Sequence, residues 1–101
     1  MSKQLTMKTK DETFKALADP SRRRILKMLG EGEMSAGEIA TKFDMTAPSM
    51  SHHFNVLKAA GLIRTRRNGQ QIFYSLDTTV VQDLMTAMLD LFKVQENEDE
   101  T

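Results

Sequence analysis

The chain has 101 residues, of which 40% are hydrophobic and 28% charged, so it has room for one globular domain. It contains no cysteine, which excludes disulfides, thiolate metal sites and cysteine nucleophiles. Its formal net charge at pH 7 is zero, a value that by itself does not favour a strongly charged partner.

The charges are unevenly distributed along the chain. Five acidic residues and one lysine lie at positions 90–101, a net charge of −4, so residues 1–89 carry +4. We expect a single domain over residues 1–93 and an acidic flexible tail over residues 94–101. The N-terminal segment lacks the apolar run of a signal peptide, and no 18 apolar residues follow one another. The expected location is therefore the cytoplasm, without membrane insertion.

Two helices are predicted in the first third of the chain. Residues 11–18 have apolar positions at helical spacing and end at Asp19, which precedes a proline. Pro20 suits the first turn of a second helix, which Gly30 closes. We expect at least one arginine of the run 22–24 to pair with Asp19 or to cap a neighbouring element.

A third and a fourth helix follow at short distance. Ser35 and Glu38 have the spacing of a capping box and predict a helix that begins at Ser35. After a break at residues 44–46, with Thr46 as the cap, a fourth helix is predicted from Ala47 to Ala60. Two short helices joined by a tight turn indicate a helix-turn-helix.

The pattern then changes to strands and returns to a helix. Asn68-Gly69 lies between LIRTRR and QQIFYSL, which predicts a β-hairpin with a type I′ turn because both turn residues tolerate a positive φ. Thr78 or Thr79 is expected to cap a last helix over residues 79–94. The predicted fold is mainly α with a small β-hairpin, an α+β winged helix-turn-helix with the order α-α-α-α-β-β-α.

The fourth helix has two different faces on a helical wheel. Met50, Phe54 and Leu57 form the expected core face, and His53 beside them is expected to be a packed, hydrogen-bonded residue. The other side carries small or hydrogen-bonding residues, namely Pro48, Ser51, His52, Asn55, Lys58 and Ala59.

Small polar side chains on an exposed helix allow it to approach the base edges in a DNA major groove. Asn55 has the amide needed for two hydrogen bonds to adenine, Ser51 and His52 suit bases or phosphates, and Lys58 suits a phosphate. The alternative is that this side is simply a solvated helix surface.

The predicted wing is rich in donors. Its cations and amides suit a sugar-phosphate backbone, and the alternative is a basic hairpin edge that only improves solubility. The residues concerned are Arg64, Arg66, Arg67, Asn68, Gln70 and Gln71.

The last helix is apolar over about half of its circumference, which exceeds the stripe of just over about 100° that packing within one domain needs. The excess predicts a homodimer, and two-fold symmetry then predicts an inverted-repeat DNA site. The alternative is that the first helix covers the whole face within one chain. The expected interface residues are Phe14, Leu17, Leu84, Met85, Met88, Leu89 and Phe92.

The chain contains three segments in this order: LADPSRRRILKML, SAGEIATKFDMTAPSMSHHFNVLKAAGLI and RRNGQQIFYSL. Because of these segments, the chain resembles the ArsR family of winged-helix repressors over residues 10–93. Within that family it is most similar to metal-independent autorepressors. The resemblance implies a homodimer, formed by the first and last helices, that binds promoter DNA and blocks transcription. It implies DNA contacts at Ala47, Pro48, Ser51 and His52 and on the wing near residues 66–70.

The chain departs from the metal-sensing members of that family. Their sites use cysteines in the first helix of the helix-turn-helix, or Asp, His and Glu ligands on the final helix. Here the first segment reads SAGEIATKF, and no histidine follows His53. A soft-metal sensor is therefore excluded, a zinc site on the last helix has no support, and no cofactor is expected.

The function predicted from these features is that of a sequence-specific repressor of double-stranded promoter DNA, autoregulatory and not metal-sensing. A protein partner is one possible source of derepression, and the acidic tail is either a solvated end or a mimic of DNA phosphates. The alternative is a winged-helix protein-interaction module that never binds DNA. An enzyme ranks far below both, because the sequence has no phosphate-binding loop and no activated nucleophile.

Overall fold

The computed structural model describes the backbone of residues 7–99 and the side chains of residues 11–93. This part of the chain forms five helices and three strands. In chain order they are α1 (Met7–Leu17), α2 (Pro20–Leu29), β1 (Met34–Ser35), α3 (Ala36–Ala40), α4 (Ala47–Ala59), β2 (Ile63–Asn68), β3 (Gln71–Leu76) and α5 (Thr78–Asp99). The α5 backbone continues past the boundary predicted at residue 93, and the division into domain and tail stays a prediction.

The two helices of the helix-turn-helix begin at the predicted caps. Ser35 Oγ accepts from the backbone N–H of Glu38 at 3.1 Å, and the Glu38 carboxylate accepts from the Ser35 N–H at 3.0 Å. That backbone bond from Ser35 lowers the pKa of Glu38. Thr46 Oγ1 accepts from the Ser49 N–H at 3.2 Å and caps α4. The capping box is therefore confirmed, and each cap satisfies an N–H that the helix itself leaves unpaired.

The cap of α5 lies one residue before the predicted position. Asp77 Oδ1 accepts from the backbone N–H of Val80 at 3.1 Å, whereas Thr78 is already the first helical residue. The expectation of Thr78 or Thr79 was therefore wrong. The carboxylate of Asp77 also lies at the positive end of the helix dipole, where a negative charge is favourable.

The strands form a three-stranded antiparallel sheet in the order β1-β3-β2. Met34 pairs with Tyr74 and Ser35 with Phe73, so β1 adds a third strand to the predicted hairpin. A two-residue strand has no alternating pattern that the sequence would reveal. Its consequence is that β3 lies in the middle of the sheet.

The hairpin turn differs from the predicted one. Asn68 pairs with Gln71, so Gly69 and Gln70 are the two turn residues. Of these two residues, only Gly69 has a positive φ, at 65°. Among the described residues, every residue with a positive φ is a glycine. A glycine at the first turn position with an ordinary second residue is the pattern of a type II′ turn, so the type I′ prediction was wrong.

The core joins the helices to the sheet. Ile25, Ile39 and Leu57 are fully buried, and each contributes about 1.5–3 kcal/mol by the removal of its side chain from water. Phe54 of α4 stacks on Tyr74 of β3 with ring centroids 4.4 Å apart. These contacts fix α4 against the wing, and the predicted winged helix-turn-helix fold is confirmed.

None of the helices in the described residues combines the length and the apolar character that crossing a membrane requires.

Candidate nucleic-acid interface

The orientation of α4 is determined by three buried side chains. Met50, Phe54 and Leu57 are at most 5% exposed and recur at helical spacing. Because this stripe faces the core, the opposite side of the helix must face solvent.

The exposed side of α4 carries every residue that the sequence singled out for DNA contact on this helix. They are Ala47, Pro48, Ser51, His52, Asn55 and Lys58, and all are exposed. We call these six residues the reading face. Its hydroxyl, imidazole and amide groups supply both donors and acceptors for base edges, and its first two residues are small enough to let the helix approach closely. That these residues contact DNA stays a prediction.

His53 lies on the inner side of α4, as expected. Its side chain is 14% exposed, and its Nδ1 lies 3.3 Å from Nη1 of Arg22 and 3.9 Å from Oδ2 of Asp19. Asp19 in turn accepts from the backbone N–H of Arg22 at 3.0 Å, and this bond is the main cause of its lowered pKa. His53 therefore connects α4 to the junction between α1 and α2.

Two arginines of the predicted run cap the end of α1. Arg22 donates from Nε to the carbonyl of Ala16 at 2.7 Å and from Nη2 to that of Lys15 at 3.1 Å. Arg23 donates from Nη1 to the carbonyl of Leu17 at 2.8 Å. The expectation that this run caps a neighbouring element is confirmed. The bonds go to carbonyls in the last turn of α1 and place positive charge at the negative end of its dipole.

The wing presents its cations on two opposite faces. In β2, Arg66 pairs with Phe73 and Arg67 with Ile72, so strand alternation directs them to opposite sides of the sheet. Arg67 shares its side with the buried residue Ile63, which faces the core and α4. The wing residues predicted to contact the DNA backbone, residues 66–68 and 70, are all exposed.

Arg66 is already engaged within the protein. Its Nη2 and Nε donate to the two carboxylate oxygens of Glu33 at 2.8 and 3.1 Å, and its guanidinium lies over the Phe73 ring, 4.6 Å from the centroid. The ion pair lowers the pKa of Glu33 and raises that of Arg66. Glu33 was missed because it lies 33 residues away in the sequence, and no local pattern indicates the pairing.

Large apolar side chains are exposed along α5, and Phe14 of α1 is exposed as well. Phe14 is 40% exposed, Met85 58%, Leu89 54% and Phe92 69%, and Met88 is also exposed. Single exposed apolar residues are common, but a contiguous group of large ones indicates a protein interface.

Two residues expected in that interface lie deeper. Leu84 is only 6% exposed and belongs to the core of its own chain, so it supports the apolar surface from beneath instead of forming it. Leu17 is partly buried against the same core. The sequence could not distinguish these two residues from the exposed ones, because a helical wheel shows on which side of the helix a residue lies and not how deeply it is buried.

Histidine, aspartate and glutamate do not gather in any group of three suited to a metal ion within the described residues.

Comparison with known sequences gives a match to a helix-turn-helix domain model over residues 17–66. The transcriptional repressor SdpR of Bacillus subtilis (strain 168) is 48% identical over 88 residues, which are 87% of this chain and 98% of that protein.

Solved structures with the same fold include an ArsR family transcriptional regulator, with a TM-score of 0.84, 28% identity and coverage of 93% of this chain and 97% of the other. A homodimeric winged helix-turn-helix DNA-binding domain from Mycobacterium bovis has a TM-score of 0.68 and 25% identity, with coverage of 89% of this chain and 85% of the other.

Proposed function

The chain belongs to the ArsR family of winged helix-turn-helix DNA-binding transcriptional repressors, and from this premise we propose that it acts as a homodimer on an inverted repeat in its own promoter. Its relatives are transcriptional regulators and not enzymes, in agreement with the prediction from the sequence.

The observation that carries the proposal is the reading face of α4. Its six exposed residues are small or hydrogen-bonding, while the buried side of the same helix is held by Met50, Phe54 and Leu57. A helix held in this way can enter a major groove without rearrangement.

The proposed contacts divide into two kinds. Asn55, Ser51 and His52 bind base edges and give sequence preference, with Ala47 and Pro48 allowing close approach. Lys58 and the wing residues 66–68 and 70 bind the backbone, which positions the protein but carries little sequence information.

The homodimer in this proposal uses the exposed apolar surface of α1 and α5. The homodimeric relative from Mycobacterium bovis supports a homodimer, and the exposed apolar side chains of α5 support its location. Two-fold symmetry would present two copies of α4 to successive major grooves about 34 Å apart, which is why we propose an inverted repeat.

The signal that ends repression is proposed not to be a metal, which leaves a protein partner or the protein's own concentration. The sequence has no cysteine, and His52 and His53 are its only histidines. Zinc and softer metals bind most readily to these two residue types. The proposal further includes a cytoplasmic location, a domain at residues 1–93 and a solvated tail at residues 94–101.

Binding of the purified protein to the DNA upstream of its own gene tests this function. We expect tighter binding to that fragment than to a scrambled one of equal length, with an affinity that falls steeply as salt rises. Equal affinity for both fragments would contradict autoregulation, and no binding to either would contradict DNA recognition. Capture of a protein from an extract freed of nucleic acid, without any DNA binding, would instead support the interaction-module alternative.

A further inference from the structure

A small cleft lies between the end of α4 and the wing. It has a volume of about 130 Å³ and is lined by Lys58, Thr65, Arg67, Ile72 and Tyr74. Two of these five residues are cations and a third, Thr65, carries an aliphatic hydroxyl. The cleft thus differs from the reading face, which lies on the outer side of α4 and contains only Lys58 of these residues.

The register of the hairpin explains why these side chains meet. Thr65 pairs with Tyr74 and Arg67 with Ile72, so all four lie on the side of the sheet that faces α4. Lys58 is in the last turn of α4 and reaches the cleft from the helix side. The stacking of Phe54 on Tyr74 fixes the distance between helix and sheet.

The two cations of the cleft have no acidic partner among the described residues. Among the described residues, the basic and acidic side chains within 4.0 Å of each other are Arg66 with Glu33 and His53 with Asp19. Arg67 and Lys58 therefore have no carboxylate beside them. An anion in the cleft would supply that negative charge, and the buried side chain of Tyr74 beside it would lower the local dielectric and strengthen the attraction.

We propose that this cleft is a clamp for a single phosphodiester of the DNA backbone, with Lys58 holding it from the helix and Arg67 and Thr65 from the wing. The proposal rests on the proposed function. It makes one phosphate the common contact of the two DNA-binding elements, so the helix and the wing would engage the duplex in a fixed relation.

A phosphodiester suits this cleft better than a free phosphate ion. The diester carries one negative charge and has two unesterified oxygens, which two cations and one hydroxyl can satisfy. A free phosphate carries more charge and more acceptor oxygens, and the rest of the lining, Ile72 and Tyr74, offers only the Tyr74 hydroxyl for them. The cleft also opens between the two elements that flank the backbone in the proposed complex.

Three variants test whether Lys58 and Arg67 share one phosphate: Lys58→Gln, Arg67→Gln and the double substitution. The slope of log affinity against log salt falls by about 0.9 for each phosphate that the protein ceases to neutralise. We expect each single variant to weaken binding with little change in slope, because the remaining cation still neutralises the phosphate, and the double variant to lower the slope by about one. Reductions of about one in each single variant and of about two in the double variant would overturn the proposal, since the cations would then hold separate phosphates.

The matched control is Arg64→Gln, which removes the same charge from the same strand but on the opposite side of the sheet, where Arg64 pairs with Ser75. All four variants replace exposed side chains, so folding is expected to be unchanged and is checked by circular dichroism. Equal effects of Arg64→Gln and Arg67→Gln on affinity and slope would show that the cleft has no special role and would overturn the proposal.

Neutral methylphosphonate groups, placed one at a time in a duplex selected by the wild-type protein from random sequence, locate the phosphate. We expect one position in each half-site where neutralisation weakens the wild-type protein but not the double variant. The absence of such a position would overturn the clamp while the proposed function stands. If the wild-type protein selects no duplex, both proposals fail. Inorganic phosphate is the last probe, and its binding at micromolar concentration without DNA would replace the diester by a free phosphate ligand.

Discussion

Arg66 on the wing donates two hydrogen bonds to Glu33, which lies directly before β1 at the opposite edge of the sheet. The strand order β1-β3-β2 explains the geometry, because the guanidinium reaches across the central strand and lies over the ring of Phe73 on its way. An arginine expected at the DNA backbone is thus neutralised in the free protein by an acidic residue.

Removal of Glu33 is expected to release this arginine for DNA. Glu33→Gln should raise the affinity for random duplex DNA, since Arg66 would bind its phosphate without first giving up the ion pair with Glu33. Fluorescence anisotropy at several salt concentrations measures the affinity. Glu31→Gln is the control, because it removes the same charge from the same turn but Glu31 is not paired with Arg66. If the two variants behave alike, the effect is one of net charge only and the release of Arg66 is refuted.

Acid stability is expected to depend on Asp19. Its carboxylate caps α2 through the Arg22 N–H, and this bond holds its pKa below the ordinary value of 3.8. Because the pKa is lower in the folded chain than in the unfolded one, the stabilisation is complete above the unfolded value and is lost as the pH falls through the folded one. Asp19→Ala should lower the free energy of unfolding at neutral pH by about 0.5–2 kcal/mol.

Asp19→Asn separates the cap from the charge. Asparagine is also a good cap, so this variant should lose less stability at neutral pH and show a smaller decline in acid than the wild-type protein. Urea unfolding followed at several pH values between neutrality and strong acid measures this. Asp44→Asn, in the exposed turn before α4, is expected to leave the stability unchanged. An acid decline in Asp19→Asn as steep as that of the wild-type protein would rule out Asp19 as its source.

The local features of this fold could be predicted because their signals lie within a few residues. The capping box of Ser35 and Glu38 needs only a spacing of three, and the buried stripe of α4 needs only its own periodicity. Where several residues that can cap a helix follow one another, the sequence does not decide which of them is the cap. Asp77, Thr78 and Thr79 are such a run, and the cap was expected at Thr78 or Thr79 but lies at Asp77.

Features that depend on distant partners could not be predicted from local patterns. The strand β1 exists because Met34 meets Tyr74, 40 residues later, and the ion pair of Arg66 depends on that same sheet. The division of the wing into two faces was within reach, since strand alternation alone separates Arg66 from Arg67.

Self-association is expected to depend on the exposed apolar surface of α5. Leu89→Arg places a charge where the side chain is 54% exposed in a single chain, so the monomer should still fold while the proposed dimer is disfavoured. Analytical ultracentrifugation should then give a monomer for this variant and a dimer for the wild-type protein. Gln82→Arg, on the polar side of the same helix, should remain dimeric. A dimeric Leu89→Arg would remove α5 from the interface.

Sequence preference is expected to depend on Asn55. Its amide projects from the exposed side of α4, and a two-bond contact to a base discriminates by about 1–3 kcal/mol. Asn55→Ala should therefore bind a selected duplex less tightly and bind random DNA almost as before, which reduces the ratio of the two affinities. Lys58→Gln is the comparison, since removal of a cation that binds a phosphate should weaken both complexes equally. If Asn55→Ala weakens both duplexes by the same factor, Asn55 does not read bases, and the specificity must come from other residues of α4 or from the deformability of the DNA.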